Sequence, residues 1–254
     1  MRHIESQKRQ IAVAAILVLC ATGSPALAQP DIRVTAGDAT DARISGGFQT
    51  GELSVVVRIR GDGIEGVAAL RYFLTDARDD LGNLLLPETP GTPGFRDVRG
   101  DRAEETIRLR SPARDATSFL VSGRVELFIP GRDPNATVKV ANALAHPNKP
   151  LSSPGLKAAD LEVVVLTRAG LPREMVAFHA RTADFERIHS IRILRPDGTE
   201  IPVGSTARSS DGESTDVYLE ASEPVPKNAS LSFSILTAKA CASVPFELKD
   251  IPLP

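Results

Sequence analysis

The sequence predicts an all-β fold: two immunoglobulin-like antiparallel β-sandwiches in tandem. Apolar and polar residues alternate in several separate runs, and turn signals rich in Gly and Pro lie between them. No long segment shows the period of an amphipathic helix. Strict alternation is typical of strands with one face on a core and the other in water. Many short strands separated by such turns are typical of sandwiches and barrels.

The N-terminal segment, residues 1–28, predicts a secretory signal peptide. A basic start precedes the apolar run "IAVAAILVLCATG", which is shorter than the roughly 20 residues that a bilayer-spanning helix needs. The run ends in "SPALA", whose small residues suit signal peptidase, so the mature chain is expected to begin at Gln29. Lipidation at Cys20 is the less favoured alternative, because the bulky Leu19 precedes it. The sequence therefore predicts a periplasmic or secreted protein whose mature chain has no transmembrane segment.

Charge and cysteine content exclude several classes of protein. Lys and Arg number 30 against 32 Asp and Glu, a formal net charge of −2, which gives no reason to expect nucleic acid as a partner. Once the signal peptide is removed, Cys241 is the remaining cysteine and cannot form an internal disulfide. Its small and apolar neighbours predict a buried, inert thiol rather than a nucleophile.

The predicted strands follow the alternating runs in order. The clearest runs are "GELSVVVRIRG" (51–61), "GRVELFIPG" (123–131) and "NASLSFSIL" (228–236), the last with three serines on the face expected in water. Turns are predicted at "RPDGTE", "GRDPNAT" and "SSDGES", and Gly198 occupies a position that needs a positive φ. The run "LKAADLE" is expected to form a single turn of helix.

A division between two units is predicted near residue 169. The stretches "HPNKPLSSPGLKAAD" and "RAGLPRE" flank the strand "LEVVVLT" and are rich in Pro and small residues. The predicted domains are therefore residues 29–169 and 170–254, both in the size range of immunoglobulin-like sandwiches.

The stretch "TDARDDLGN", residues 75–83, is the densest cluster of carboxylates in the chain, and it joins two predicted strands. Asp79, Asp80, Leu81 and Gly82 fit a type I turn whose last residue is left-handed, which is a three-residue hairpin with a Gly bulge. An Asp at the first turn position accepts a backbone N–H, so the plain turn explains Asp79 without chemistry.

A calcium site in the same loop is the alternative. Its candidate ligands are Asp76, Asp79, Asp80 and Asn83. The EF-hand pattern fails, since counting from Asp76 places a cation at the third position and Leu81 where a Gly is required. An irregular calcium loop stays open as a hypothesis. An acid/base pair is disfavoured because adjacent carboxylates on a hairpin tip have no reason to differ in pKa.

Other chemical constellations are weak. The histidines of the mature chain, His146, His179 and His189, lack the spacing of metal ligands, and no nucleophile elbow, P-loop or dinucleotide fingerprint is present. Sugar-binding modules stack rings on exposed aromatics. This chain has no Trp, and its tyrosines, Tyr72 and Tyr218, lie in alternating strands where a structural role is expected. No cofactor is therefore predicted.

Two short motifs resemble a known group of proteins. The C-terminal run "ASLSFSILTAKACASVPFELKDIPLP" and the "DDLGN" turn are similar to features of uncharacterised exported bacterial proteins built from immunoglobulin-like β-sandwich modules. The resemblance implies an exported β-sandwich protein, and it implies no particular activity.

The expected function is that of an exported, non-catalytic binding or structural protein whose partner is an unknown protein or cell-envelope macromolecule. The contact region is predicted at residues 87–105, "PETPGTPGFRDVRGDRAEE", the longest stretch without a strand pattern. One alternative is a calcium-dependent ligand or carbohydrate binder that uses the Asp76–Asn83 loop. The other is an enzyme whose residues are assembled from distant loops.

Overall fold

A computed structural model describes residues 32–43, 51–61, 64–88, 93–98, 103–167 and 170–254. Within these ranges the chain is mostly β-strand, which confirms the predicted all-β class. The strands are β1 (Ile32–Ala42), β2 (Glu52–Gly61), β3 (Ala69–Asp79), β4 (Arg96–Asp97), β5 (Ala103–Arg110), β6 (Ser118–Phe128), β7 (Thr137–Val140), β8 (Val164–Leu166), β9 (Met175–Arg181), β10 (Ile188–Leu194), β11 (Glu200–Ile201), β12 (Val203–Ser210), β13 (Ser214–Ala221), β14 (Ser230–Ile235) and β15 (Cys241–Pro252). There are also two single-turn α-helices, α1 (Pro154–Ala158) and α2 (Thr182–Glu186), and three short 3-10 helices (Ile64–Gly66, Pro130–Arg132 and Pro134–Ala136). The helix α1 overlaps the predicted helical turn.

The strands form four antiparallel sheets. Their orders are β1-β2-β5 in sheet I, β15-β6-β3-β4 in sheet II, β11-β10-β14-β7 in sheet III and β12-β13-β9-β8 in sheet IV. Sheets I and II share one hydrophobic core, and sheets III and IV share another. We call these two pairs the first and the second sandwich.

The core of the first sandwich comes from the alternation seen in the sequence. Leu53, Val55 and Val57 of β2 are fully buried, and their neighbours along the strand are half-buried. Val125 and Leu127 of β6 are buried in the same core. These inward rows belong to facing sheets, so the period of two along each strand builds a two-layer structure.

The second sandwich follows the same rule with one difference. Its strand β14 buries Leu231 and Phe233 as predicted, but Ser230 and Ser232 are buried as well. In the register of sheet III, Ser232 lies between Arg192 of β10 and Lys139 of β7. Residues directly opposite one another share a face, so these long side chains flank the small serine and shield it from water.

The second sandwich is inserted into the first. The strands β7 to β14 build sheets III and IV, and β15 then returns to pair along β6 of sheet II. The sequence had predicted consecutive units. The ranges 29–169 and 170–254 stay predictions about folding units. In the structure, β7 and β8 precede residue 169 and pair with strands that follow it, and β15 follows residue 169 and pairs with β6.

The chain enters and leaves the second sandwich at adjacent points. The Ile129 N–H donates to the carbonyl oxygen of Ala240 at 2.7 Å. The Thr237 hydroxyl donates to the buried carboxylate of Asp133 at 2.6 Å, which joins the outgoing segment to the returning one. Phe128 and Ala136 pack with Ala240 in a small apolar cluster beside these contacts.

The first sandwich has one open side. At the opposite side β1 and β15, the edge strands of sheets I and II, contact each other. At the open side sheet I ends at β5, and sheet II ends at β4, which pairs only with Ala69 and Leu70 of β3. Further along β3, Ala77 and Arg78 pair with residues 84–85. Between these two contacts, on the edge of β3 that faces away from β6, the part of the chain that the structure describes places no strand beside residues 71–75.

The predicted contact region, residues 87–105, is partly regular. It contains β4, and β5 begins inside it at Ala103, which corrects the expectation of a stretch without strands. The sequence analysis did not detect β4 because a strand of two residues is too short to show an alternation of apolar and polar side chains. The predicted signal peptide, Gln29 and Cys20 lie outside the described residues. Among the helices that the described ranges contain, none is long and apolar enough to cross a membrane.

Candidate functional site

The predicted turn at residues 79–83 forms as expected, but the strand predicted after it, in "NLLLP", is reduced to an isolated bridge at Leu84. The Gly82 N–H donates to the Asp79 carbonyl at 3.0 Å, and the Asp79 N–H donates to the Asn83 carbonyl at 3.1 Å. Gly82 has a φ of +86°, the left-handed conformation that closes a three-residue hairpin. Leu81 at its tip is 58% exposed.

The Asp79 carboxylate is buried and fully bonded. It accepts the backbone N–H groups of Leu81, Asn83 and Ala113 and the side-chain amide of Asn83, at 2.8 to 3.2 Å. Burial by itself raises the pKa of this carboxyl, but the hydrogen bonds from Ala113, Asn83 and Leu81 outweigh burial and hold the pKa below its usual value. Asp79 therefore ties the hairpin to the loop before β6.

The neighbouring carboxylates have other partners. Asp80 is exposed and accepts both the hydroxyl and the backbone N–H of Thr117, which lower its pKa. Asp76 forms an ion pair with Arg78 at 3.0 Å. Each carboxylate of the calcium hypothesis is thus directed at a different protein group. Within the described ranges, no three His, Cys, Asp or Glu side chains are grouped so that they could hold a metal ion.

A cavity of about 290 Å³ lies at the open side of the first sandwich. We call it the open-side cavity; its walls are residues 70–74 of β3, residues 105–108 of β5, and Leu86, Pro87, Pro93, Gly94 and Arg96. The inward-facing side chains of Leu70, Leu74 and Ile107 make its interior mostly apolar. The cavity lies at the edge of β3 that faces away from β6, where the described residues place no strand beside residues 71–75.

Tyr72 lines this cavity, but its hydroxyl oxygen is buried and has essentially no accessible surface. Its side chain points inward from β3, is 7% exposed, and packs edge-to-face on Phe246 with ring centroids 6.0 Å apart. Its hydroxyl has no hydrogen-bond partner among the described residues. Such an unsatisfied buried group costs about 1–3 kcal/mol of stability. Burial first, and the charge of Glu105 second, raise the pKa of Tyr72, so the hydroxyl keeps its proton.

Glu105 brings a carboxylate to the same wall. In β5, Ala103, Ile107 and Leu109 are buried, and Glu105 falls on the same inward face. Its side chain is 19% exposed and pairs with the guanidinium of Arg96 at 3.3 Å. An inward-pointing charge on an edge strand also discourages pairing with other chains. The cavity therefore combines an apolar lining with a carboxylate that already has its counter-ion, and the Tyr72 hydroxyl is buried behind this lining.

The outer face of sheet II stiffens the wall behind the cavity. The Arg71 guanidinium lies 4.4 Å from the ring centroid of Phe95 and 4.9 Å from that of Phe73, and it pairs with Glu126 at 2.7 Å. Arg124 covers Phe73 at 4.2 Å. These stacked contacts hold β3 in position although one of its edges lacks a partner strand there.

His179 does not form a catalytic relay. Its Nδ1 lies 2.8 Å from the Asp216 carboxylate on the outer face of sheet IV. Ser209 lies opposite Asp216 in the register, on the side away from His179. The acid therefore lies between the serine and the histidine, whereas a Ser-His-Asp relay needs the histidine in the middle. The pair is a cross-strand contact.

His189 joins the two sandwiches. Its Nε2 lies 2.9 Å from the Asp97 carboxylate, and its ring packs against Phe95 and Phe128. His189 belongs to β10, whereas the other three residues belong to the first sandwich. Cys241 is half-buried close by, and burial raises the pKa of its thiol, which fits the predicted inert role.

Sequence reasoning located part of this site. The predicted region 87–105 supplies Pro87, Pro93, Gly94, Arg96 and Glu105 to the cavity wall. Tyr72 was expected to be structural, and its unsatisfied hydroxyl depends on packing that no local pattern encodes. The detectable signal was Glu105, a charged residue in register with the apolar face of "AEETIRLR".

Comparison of the chain with protein-family models, with characterised proteins and with solved structures gives no match. Function is therefore inferred from the geometry of the open-side cavity.

Proposed function

We propose that the protein is an exported, non-catalytic binding protein that captures a protein or another cell-envelope macromolecule at the open side of the first sandwich. The observation that carries this proposal is the open-side cavity, which is mostly apolar, carries the Glu105 carboxylate on its wall and lies between two sheet edges. Binding sites are commonly concave and apolar with a few polar groups that fix orientation. Sandwich modules recognise partners through edge strands and end loops.

The immunoglobulin-like character of each sandwich and the periplasmic or extracellular location belong to the same proposal. The strand-rich, two-layer architecture supports the first. The apolar run and cleavage motif of residues 1–28 support the second. The candidate groups Asp76, Asp79, Asp80, His179 and His189 lie in hydrogen-bonded pairs and turns, an arrangement typical of structural roles. The calcium-dependent alternative draws no support from Asp79, whose oxygens face N–H donors.

A matched pair of surface variants tests the proposal. Thr106 of β5 and Thr206 of β12 are both exposed threonines on edge strands, and only Thr106 lines the cavity. Thr106→Arg adds a long, charged side chain to the strand that borders the cavity, whereas Thr206→Arg makes the same change on the second sandwich. Because both sites are exposed, both variants should keep their free energy of unfolding within about 0.5 kcal/mol of wild type.

The readout is capture of a partner from a cell-envelope extract, identified by mass spectrometry. Wild type and Thr206→Arg should capture the same macromolecule, and Thr106→Arg should lose it. Equal capture by both variants would place the partner elsewhere on the molecule. Turnover of any compound in a broad hydrolase screen would show that the protein is not a simple binder.

A further inference from the structure

We propose that β12 is a self-association edge. Two copies of the protein pair their β12 strands antiparallel about a two-fold axis at Ala207, and this pairing joins two copies of sheet IV into one continuous sheet. The inference concerns the second sandwich and goes beyond the proposed function, because partner capture is assigned to the first sandwich.

The strand β12 is a long and exposed edge of sheet IV. It has eight residues, all exposed except Val203, and within the described ranges it pairs only with β13. The edge strands β4, β7, β8 and β11 have two to four residues, and β1 and β15 contact each other. The edge strand β5 is as long as β12 but carries four charged residues, which discourage pairing. In β12 the one charged residue is Arg208, and there is no proline.

The backbone of β12 presents a row of hydrogen-bonding groups at this edge. The Asp211 N–H donates to the Ser214 carbonyl at 3.2 Å, so the backbone groups of Asp211 point toward β13. Backbone direction alternates along an antiparallel ladder. The N–H and C=O groups of Thr206, Arg208 and Ser210 therefore point away from β13. An added strand pairs with such a row.

The side chains of β12 favour a second copy over an unrelated peptide. Ser205, Ala207 and Ser209 share one face and read the same in both directions, so an axis at Ala207 places serine opposite serine. A two-fold interface requires a self-complementary patch of this kind. Recognition of an unrelated peptide depends on pockets for its alternate side chains, whereas the small exposed residues of β12 give such a peptide little to recognise.

Arg208 fixes the register of the pairing. With the axis at Ala207, Arg208 of one copy lies opposite Thr206 of the other, and the backbone groups of these residues exchange hydrogen bonds on both sides of the axis. An axis at Arg208 would place like charges directly opposite one another, which is destabilising. An axis at Thr206 would place Ser210 opposite Pro202, which has no N–H to donate.

The size of the contact determines its strength. Stable interfaces bury roughly 1,200–2,000 Å², which is more than two strand edges of eight residues cover alone. The dimer is therefore reversible and forms as the protein concentration rises. Neither copy has to unfold, because each sheet IV is only extended at its edge.

The test is sedimentation equilibrium of the protein from Gln29 onward, over concentrations from micromolar to millimolar. Thr206→Arg places a cation opposite Arg208 of the second copy, and Thr206→Glu places a carboxylate there. Because two such pairs form per dimer, the dissociation constant should rise roughly two- to thirtyfold for Thr206→Arg and fall by a similar factor for Thr206→Glu. Thr106→Arg, on the edge strand β5, should leave the constant unchanged. Thermal melts confirm that these exposed positions do not alter folding.

A cross-link tests the position of the axis directly. In a Cys241→Ala background, Ala207→Cys places two thiols in a pair that is not hydrogen-bonded. The Cα atoms of such a pair lie about 4.5 Å apart, within the range that a disulfide spans. Mild oxidation should therefore give a covalent dimer. Ser205→Cys is the matched control and should give far less, because it lies opposite Ser209 of the second copy.

Three results would overturn the inference. The first is the mass of a single chain at every concentration, and the second is an equal dissociation constant for Thr206→Arg and Thr206→Glu. The third is a dimer weakened by Thr106→Arg and unaffected by Thr206→Arg, which would place the contact at β5. Weaker self-association of Thr206→Arg together with normal capture of the macromolecular partner is the expected combination, since the two surfaces belong to different sandwiches.

Discussion

Buried polar side chains in this molecule fall into two groups according to their hydrogen bonds. Asp79 accepts four N–H groups, and Asp133 accepts the Thr237 hydroxyl and a backbone N–H, so both carboxylates stabilise the segments that they join. The Tyr72 hydroxyl alone is without a partner in the described ranges. Among the side chains that the structure describes, this hydroxyl is therefore the exception to the rule that buried polar groups are hydrogen-bonded.

Substitution of Asp79 should reveal its structural role. Asp79→Ala leaves the N–H groups of Leu81, Asn83 and Ala113 without an acceptor and should lower the free energy of unfolding by about 2–3 kcal/mol. Asp79→Asn keeps one acceptor oxygen and should cost less. Urea denaturation of both variants measures these losses, with Asp115→Asn, an exposed carboxylate of the neighbouring loop, as the control.

The contribution of Asp79 should also depend on pH. Its pKa is lower in the folded protein than in the unfolded chain, so the stabilisation is complete above the unfolded value of about 3.9 and disappears as the pH falls through the folded value. The stability gap between wild type and Asp79→Asn should therefore narrow in acid below about pH 4. A gap that stays constant into that range would contradict the bonded state of this carboxylate.

At the scale of single elements, the hairpin at residues 75–83 was the most predictable feature, because its turn chemistry is local. Gly82 has a φ of +86° and open space around the position of a Cβ, so its requirement for Gly is purely conformational. Gly131 has equally open surroundings without a positive φ. Gly82→Val should therefore lower the free energy of unfolding by about 1–2 kcal/mol. Gly131→Val should cost clearly less in the same urea experiment, and equal losses would show that the turn is not strained.

The open side was less predictable than the hairpin because it depends on contacts between elements. Gly123 of β6 illustrates this: a Cβ there would lie 2.1 Å from the Phe73 carbonyl oxygen, an approach created by the bulge in β3. The sequence shows a glycine in an alternating run and no sign of its neighbour. Likewise, the pairing of distant segments decides that β4 joins β3 only at residues 69–70 and that no described strand follows along residues 71–75 on that edge. An alternating pattern describes one strand at a time and does not report which segments pair.

At the scale of the whole molecule, the second sandwich is inserted into the first, so the strands of one sandwich are not consecutive in the chain. A boundary inferred from composition along the chain therefore does not coincide with the division between the two sets of paired strands. Residues 137–166 look continuous with the first sandwich in sequence, yet β7 and β8 pair with β14 and β9. The closing strand β15 pairs with β6, more than a hundred residues earlier. Composition marks a stretch rich in Pro and small residues before residue 169, but it carries no information about which strand a later segment will join.

This topology predicts how the chain can be cut. Ile129 and Ala240 are joined by a backbone hydrogen bond of 2.7 Å, so a short Gly-Ser link between them can replace the second sandwich without moving β6 or β15. The shortened protein should unfold cooperatively in urea and keep a β-type circular dichroism spectrum, although it exposes Phe128 and Phe95 where His189 covered them. The fragment 29–169 should not fold, because it lacks β15 and leaves β7 and β8 without partners. Cooperative unfolding of that fragment, with aggregation of the linked variant, would instead support two consecutive folding units divided near residue 169.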